Sequence, residues 1–193
     1  MSIVLSSGHG LHVRGARGII DEVDEARRIV NRVGELLRDD VRIFHENTAR
    51  NARDNVNNIV RHHNGHVRTL DASVHLNSFH PSSGFTQRDG WREVARGVGV
   101  EVLYRQGDAK TRRLAGRLAA AISGASGLVL RHPRSSGAKP RMNLGFLNNT
   151  TAPALLIEVC FVNSREDVRL YQAHFEEICN AIASTLVNRS VLI

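Results

Sequence analysis

The sequence predicts an α/β fold: a single domain with a mostly parallel, twisted central sheet of about six strands and helices on both faces. Short apolar runs typical of buried strands alternate with segments whose apolar residues recur every three or four positions, as in amphipathic helices. Such alternation is typical of parallel sheets covered by crossover helices. The 193 residues contain no internal repeat and no Pro/Gly-rich linker. We therefore expect residues 1–193 to form one domain.

The apolar runs and their spacing place the individual elements. The predicted strands are Ile3–Leu5, Val41–Phe44, Leu70–His75, Val100–Tyr104 and Ala154–Phe161. Amphipathic spacing predicts helices over about residues 21–38, 49–64, 114–122 and 164–186, with Asn64-Gly65 as the stop of the second and Ser164 with Asp167 as the cap of the last. Residues 79–98, rich in Gly, Ser and Pro, form the main loop insertion.

Composition excludes several classes of protein. With 41% hydrophobic and 23% charged residues, the chain is neither disordered nor a collagen or coiled coil. No apolar run approaches the roughly 20 residues of a membrane span. The N-terminus has no basic segment before its apolar run, so we expect no signal peptide. We accordingly expect the protein to be located in the cytoplasm after synthesis. Cys160 and Cys179 lie in apolar segments and are expected to be buried thiols.

The positive charge of the chain is concentrated in one segment. The whole chain carries a formal charge of +7, while residues 105–141 alone hold nine basic residues and one acidic residue, a net +8. Such a segment favours an anionic partner such as nucleic acid, a membrane surface or an acidic cell-envelope polymer. The alternative is a solvated basic helix face.

Two of the ten histidines stand where a parallel α/β sheet gathers its functional groups, at the carboxyl ends of strands. His9 follows the first strand between two glycines, and His75 ends the third. Glu22, at the start of the first helix, can reach the same place. Two imidazoles and one carboxylate around an open position would form a zinc site.

Glu158 is the second chemical signal, because it interrupts the most apolar strand of the chain. Burying a carboxylate is costly unless it is paired or neutral, and burial raises its pKa towards the range of a general acid or base. A metal-bound water and one nearby carboxylate suffice for amide hydrolysis. Each residue also has a structural interpretation: a hydrogen-bonded histidine at a strand end, an acid at a helix N-terminus, or a carboxylate paired with a buried arginine.

Other histidines offer alternative ligands. His62 and His66 have the spacing of a zinc-binding helix, but Asn64-Gly65 breaks the helix between them, and we interpret them as surface residues. None of the remaining candidates has a better position than His9 or His75; these are His12, His45, His80 and His132.

Four motifs in order carry a resemblance to a known family. They are Ser7-Gly8-His9-Gly10, Gly18-Ile19-Ile20-Asp21-Glu22, Ser73-Val74-His75-Leu76-Asn77 and Leu156-Ile157-Glu158-Val159-Cys160-Phe161. The series resembles the zinc-dependent N-acetylmuramoyl-L-alanine amidases of the type 3 family, especially the catalytic domains of phage endolysins. The likeness runs from about residue 2 to the final helix, and the stretch 55–64 also resembles the endolysin branch.

The resemblance implies a reaction and roles for five residues. Family enzymes cut the amide between the lactyl group of N-acetylmuramic acid and the L-alanine of the stem peptide. Carried over to this sequence, His9, Glu22 and His75 bind one zinc ion, and Glu158 is the catalytic carboxylate that moves a proton from water to the leaving amine. Asn77 is an expected substrate contact.

Two departures from the family pattern are visible. Ser6-Ser7-Gly8-His9-Gly10 stands where the family has Asp-Pro-Gly-His-Gly, and Glu25, one turn after Glu22, is an alternative ligand. We interpret residues 79–98 as a lid or rim over the groove for the stem peptide.

The resemblance also implies a biological setting. We expect a monomeric phage or prophage endolysin that stays in the host cytoplasm until it is released to the cell wall. We expect no separate wall-binding domain, and we expect the basic segment 105–141 to bind anionic envelope polymers. Its substrate is peptidoglycan.

Two competing functions remain open at this stage. One is another zinc peptidoglycan peptidase that cuts within the stem. The other is a basic nucleic-acid-binding protein, but aromatic residues make up only 5% of the chain and no known nucleic-acid-binding pattern is present. We therefore expect no nucleic acid as a partner.

Overall fold

The structure, a computed structural model, describes residues 2–79 and 92–188. Within these residues the strands are β1 (Ile3–Ser7), β2 (Val41–Phe44), β3 (Leu70–Asn77), β4 (Glu101–Arg105), β5 (Ala138–Arg141) and β6 (Ala154–Phe161). The helices are α1 (Glu22–Leu37), α2 (Ala52–Asn64), α3 (Ala109–Ser126), α4 (Gly145–Asn149), α5 (Arg165–Ala173) and α6 (Phe175–Val187).

The six strands form one sheet in the order β2-β1-β3-β6-β4-β5. Every neighbouring pair is parallel except β4 and β6, which are antiparallel. The carboxyl ends of β1, β3 and β6 therefore share one edge of the sheet with the amino ends of β4 and β5. His75 is paired with Glu158 across β3 and β6, and Glu158 with Glu101 across β6 and β4. Three polar residues thus lie side by side at this edge.

Helices cover both faces of the sheet, as the sequence predicts. Helices α1, α3 and α6 pack on one face around the larger core, which includes Ile29, Leu118 and Ile182. Helices α2 and α4 cover the other face around a smaller cluster that includes Ile59 and Phe146. The predicted α/β fold with a mostly parallel sheet is confirmed.

Two helix caps predicted from the sequence, Gly65 and Ser164, are confirmed, and the structure adds a third at the start of α1. The Asp21 side chain accepts a hydrogen bond from Val23 N at the start of α1, and Gly65 caps the end of α2. Ser164 caps α5 by accepting from Asp167 N. The predicted single last helix is wrong, because the chain breaks at His174, whose backbone (φ −122°, ψ 31°) is not helical. The apolar spacing continues across this break and so conceals it.

Two short elements have no clear signal in the sequence. Strand β5 contains Pro140, which lacks the N–H that a central strand needs, and β5 is an edge strand of the sheet. Helix α4 is only five residues long. Of the predicted loop insertion 79–98, residues 80–91 lie outside the described part of the chain.

Cys160 and Cys179 are buried free thiols, as expected. No helix in residues 2–79 and 92–188 has the length and apolar character needed to cross a bilayer.

Candidate metal centre and active site

The structure brings His9, Glu22 and His75 together at the shared edge of the sheet. His9 lies just after β1, Glu22 is the first residue of α1, and His75 lies near the end of β3. One ligand atom from each of the three lies within 4.8 Å of the others. Three segments distant in the sequence therefore supply one compact set of nitrogen and oxygen donors.

Glu22 is held between the two imidazoles. Its Oε1 accepts hydrogen bonds from His75 Nδ1 at 2.9 Å and from Leu76 N at 3.2 Å, and lies 3.6 Å from His9 Nε2. Its Oε2 accepts from Ala16 N at 2.6 Å. The carboxylate is almost fully buried and fixed in orientation, as ligands of protein metal sites usually are.

The loop before α1 is tied back to the helix by ion pairs. Arg14 lies 2.6 Å from Asp21 and 2.7 Å from Asp24, and Arg17 lies 3.3 Å from Asp21. Because Asp21 also caps α1, the loop and the helix start are fixed together. This places the loop beside Glu22.

The pKa values of the three residues reflect their mutual charge. Burial lowers the pKa of His9, and the nearby charge of Glu22 offsets this only in part. Burial also opposes protonation of His75, but the hydrogen bond and charge of Glu22 outweigh it and raise the pKa of His75. Burial would raise the pKa of Glu22, yet the two histidines hold it below its usual value. Glu22 is therefore anionic at neutral pH.

Glu158 lies beside this cluster, in the wall of the same groove. Its Oε2 is buried and has no hydrogen-bond partner among the described residues. Burial raises the pKa of Glu158 to about 7; His75 opposes the shift, and the charges of Glu22 and Glu101 add to it. A carboxyl group with a pKa near neutrality can both accept and donate a proton at working pH.

Two glycines allow this close packing. A Cβ on Gly8 would lie 1.9 Å from His75 Cε1, and a Cβ on Gly15 would lie 2.0 Å from Glu22 Oε2 and 2.6 Å from His9 Cδ2. Real Cβ atoms do not approach other atoms so closely. The backbone itself therefore forms part of the wall around the donor set.

A groove of about 780 Å³ opens over the site, and its walls include His9, Glu22, His75 and Glu158. A smaller and more apolar cavity of about 200 Å³ adjoins it, shares His9 and His75, and is lined by side chains of α2 and α4 such as Val56 and Phe146. The donor set is thus accessible to a ligand of some length.

A family model described as N-acetylmuramoyl-L-alanine amidase matches residues 3–188. The chain belongs to this family. The match confirms the resemblance carried by the four sequence motifs. It covers every element of the amidase fold described above, from β1 to α6.

Two curated relatives match the chain at low sequence identity. An uncharacterized protein of Clostridium perfringens (strain 13 / Type A) is 27% identical over 189 residues, which is 97% of this chain and 52% of the relative. The chain spans about half the length of the curated relatives that it matches.

Solved structures of amidases share the fold. The CwlD amidase from Clostridioides difficile, solved in complex with the GerS lipoprotein, has a TM-score of 0.74 at 19% identity, covering 96% of this chain and 95% of that one. The catalytic domain of the CD27L endolysin, described as targeting Clostridia difficile, has a TM-score of 0.71 at 23% identity, covering 97% of each chain.

Asn77, the expected substrate contact of the amidase family, lines the groove, but its amide is already engaged. Its Nδ2 donates to Glu101 Oε1 at 3.1 Å, and its Oδ1 accepts from Ser78 N at 2.8 Å. The structure therefore places Asn77 as a link between the groove and Glu101.

The alternative carboxylate ligand points away from the site. Glu25 accepts a hydrogen bond from Tyr171 Oη at 2.6 Å and forms an ion pair with Arg28 at 3.4 Å. These contacts join α1 to α5 and leave Glu22 as the carboxylate of the donor set.

The alternative histidines are also engaged elsewhere. His62 stacks on Phe44 at 3.9 Å, and His66 Nδ1 donates to His62 O. Both are half-buried and so partly accessible at the surface. His45 is hydrogen-bonded with Ser7 and Asn31, His132 with Glu101, and His12 is exposed; His80 lies outside the described residues. In the described chain, only His9, Glu22 and His75 meet the geometry of a metal site.

One further polar residue lies at this edge and is not among the residues predicted from the sequence. Glu101 is 1% exposed and lies in the apolar run 100–104, the same signal that identified Glu158. Arg131, His132 and Lys139 surround it. The roles of Gly15, and of Asn55, whose Nδ2 donates to Gly8 O, have no signal in the sequence because they depend on tertiary approach.

Proposed function

We propose that this chain is a zinc-dependent amidase that hydrolyses the bond between the lactyl group of N-acetylmuramic acid and the L-alanine of the stem peptide. The observation that carries the proposal is the convergence of His9, Glu22 and His75 beside Glu158, whose buried Oε2 has no hydrogen-bond partner among the described residues. The family match adds the class of substrate.

The donor set suits zinc. Two imidazoles and one carboxylate are ligands found in catalytic zinc sites, where a further position stays open. The ligand atoms of the three side chains lie within 4.8 Å of one another. Gly8 and Gly15 pack so closely against them that a side chain at either position would clash. When bound, zinc would polarise the scissile carbonyl and acidify a water molecule.

The protein's own residues supply the proton transfer and the positioning. Glu158, with a pKa near 7, accepts a proton from the attacking water and donates one to the leaving amine of L-alanine. The Glu22 carboxylate is itself held in place by the backbone N–H groups of Ala16 and Leu76. The groove positions the scissile amide against Glu158.

Mass spectrometry of the products from purified peptidoglycan tests the bond that is cut. Zinc-loaded protein should release stem peptides that begin with a free L-alanine amino group and leave glycan strands intact. Fragments cut inside the stem would replace the proposal with a zinc peptidase. Absence of any release would make the basic surface the main functional feature.

We also propose a lytic role for the protein: accumulation in the cytoplasm of a phage-infected host and release to the wall. The endolysin-like motifs support it. Expression in a bacterial host should leave cells intact until the membrane is permeabilised, and should then lyse them. Lysis without permeabilisation, or no lysis after it, would contradict this role.

The basic segment 105–141 is proposed to hold the protein on anionic envelope polymers. Its exposed arginines have no acidic partner within the described chain; they are Arg105, Arg112, Arg113, Arg117, Arg134 and Arg141. Changing Arg112, Arg113 and Arg117 to Gln should weaken binding to isolated envelopes, most clearly at low salt, while hydrolysis of a small soluble muropeptide is kept. Equal envelope binding by both proteins across a salt series would contradict the proposal.

A further inference from the structure

Three basic side chains share one buried carboxylate next to the active site. Glu101 is 1% exposed, and its oxygens lie 2.8 Å from His132 Nε2, 3.1 Å from Lys139 Nζ and 3.4 Å from Arg131 Nε. A single negative charge balances only one of the two permanent positive charges of Arg131 and Lys139. The cluster therefore keeps a surplus of positive charge.

This surplus faces an open cavity. Arg131, His132 and Lys139 line a cavity of about 370 Å³, and Arg134 adds a further positive charge to its wall. The side chains of Arg131 and Lys139 are 27% and 24% exposed, so both can contact a ligand while they remain paired with Glu101. Such a cavity suits a small anionic group.

The cluster is preorganised. The Arg131 guanidinium lies 4.6 Å from the ring centre of Phe161 and is also within ion-pair distance of Glu101. Stacking and ion pairing together restrict the side chain before any ligand arrives. A group held in place beforehand loses less conformational entropy when it binds a carboxylate.

The sheet fixes the distance of the cluster from the reacting bond. Glu101 is paired with Glu158, and Lys139 lies on the next strand, paired with Leu103. Neighbouring strands are about 4.8 Å apart, so the cluster lies roughly 5–10 Å from the strand of Glu158. One extended residue spans about 3.3–3.6 Å, so two residues span about 7 Å. When the scissile amide of a stem peptide lies at Glu158, its second residue therefore lies at the distance of the cluster.

We propose that Arg131, His132 and Lys139 form a carboxylate subsite that binds the acidic second residue of the stem peptide, directly after L-alanine. The inference rests on the proposed function, because the position of the scissile amide sets the distance. Asn77 lines the groove and donates a hydrogen bond to Glu101, the carboxylate that the three basic residues share. The subsite makes the enzyme sensitive to amidation of that second residue.

Two soluble substrates test this subsite: N-acetylmuramoyl-L-alanyl-D-glutamate with its carboxyl groups free, and the same molecule with both converted to amides. We would measure kcat/KM on each with the zinc-loaded full chain and with its Lys139→Gln, Lys139→Arg and Arg42→Gln variants. Arg42, exposed on the opposite edge strand β2, is the matched control for loss of one positive charge.

The wild-type protein and the Arg42→Gln control should prefer the free acid by about tenfold, the effect of one charged hydrogen bond. Lys139→Gln should lose most of this preference, measured as the ratio of kcat/KM on the free acid to kcat/KM on the diamide, and Lys139→Arg should restore it. Equal rates of the wild type on both substrates, or an unchanged ratio in Lys139→Gln, would overturn the subsite.

Failure of the proposed function is distinguishable from failure of the subsite. If no protein hydrolyses either substrate, the amidase proposal fails, and the subsite is then tested by calorimetric titration with L-alanyl-D-glutamate and its diamide. Binding of the free acid that Lys139→Gln weakens about tenfold would support the subsite. Equal binding of acid and diamide, or no binding of either, would overturn it.

Discussion

Strand β3 contributes to two histidine–carboxylate pairs that look alike and differ in consequence. His75 Nδ1 donates to Glu22 Oε1 at 2.9 Å, and His63 Nδ1 donates to Asp71 Oδ1 at 2.8 Å. Yet the pKa of His75 is raised, because Glu22 outweighs burial, and that of His63 is lowered, because burial outweighs Asp71. Similar hydrogen-bond lengths therefore do not define similar sites.

The surroundings of the two pairs explain the difference. Asp71 also binds Arg68 through both oxygens at 2.8 Å, and His63 Nε2 lies 3.0 Å from Ser6 Oγ, so every polar atom of this sealed pair has a partner. The open pair of His75 and Glu22 faces a groove, with His9 and an unpartnered Glu158 oxygen beside it. A buried polar atom without a hydrogen-bond partner, such as Glu158 Oε2 beside this groove, is typical of a functional site.

Replacing each histidine in turn should separate the two pairs most strongly. His75→Ala should lose zinc and at least about 10⁴-fold in amidase activity, because a catalytic metal supplies several kcal/mol of transition-state stabilisation. Chelation of the wild type should have the same effect, reversed by added zinc. His63→Gln should keep zinc and activity but unfold more easily by about 1–3 kcal/mol in urea, since it disrupts buried hydrogen bonds. Loss of zinc in His63→Gln would contradict the distinction.

Glu158→Gln should have the next largest effect. The amide side chain cannot accept the proton, so kcat should fall about 10³-fold while zinc stays bound. Activity on a soluble muropeptide and zinc content measure the two properties separately. Glu25→Gln is the matched control, because Glu25 is engaged with Tyr171 outside the groove, and it should keep its activity. A Glu158→Gln protein with wild-type kcat would remove Glu158 from the mechanism.

Gly15→Ala tests whether the close approach of the Gly15 backbone to Glu22 and His9 is needed for zinc binding. The new Cβ would press on Glu22 Oε2 and His9, so we expect zinc affinity to fall about tenfold, as when second-shell support is lost. Gly124→Ala is the control, because nothing lies within 4 Å of its added Cβ on helix α3. Zinc titration should find the control unchanged. Equal affinity of the two variants would show that this close approach is not needed.

The smallest effect concerns the pH dependence of stability at the sealed pair. The pKa of His63 in the folded protein lies below its ordinary value of 6.5, so the unfolded chain takes up the proton first. The stability that neutral His63 contributes is therefore present above pH 6.5 and lost as pH falls. The pKa of Asp71 is also lowered, from 3.8, so its contribution stays constant above that value.

The stability gap between the wild type and His63→Gln should accordingly narrow as pH falls from 6.5 to 5.5. Urea unfolding at pH 8, 6.5 and 5.5 measures it. A gap that is constant over this range would show that His63 is not held neutral by burial.

Sequence periodicity was sufficient for the main elements of the fold but not for its short ones. Long apolar runs and helical spacing have strong local causes, so β6 and α1 were predicted closely. Strand β5 is a polar edge strand that contains Pro140, and the break at His174 lies within continuous apolar spacing. Neither feature leaves a local signal, because tertiary packing determines both.

The candidate site divides along the same line. Strand ends and one acid in an apolar run were enough to select His9, His75 and Glu158, which the fold brings to one edge. The same rule applied to Glu101 would have found the basic cluster. The sequence does not distinguish the structural pair of His63 and Asp71 from the pair of His75 and Glu22 at the candidate site. The difference depends on the neighbouring residues that cover each pair in the folded protein.

Zinc content and amide hydrolysis, measured on the same samples of wild type, His75→Ala, His63→Gln and Glu158→Gln, test the central assignment most directly. We expect one zinc ion per chain in all but His75→Ala, and hydrolysis of the muramoyl–L-alanine bond only by the wild type and His63→Gln. Zinc retained by His75→Ala, or full activity in Glu158→Gln, would contradict the assignment of the open pair to the metal and of Glu158 to the proton.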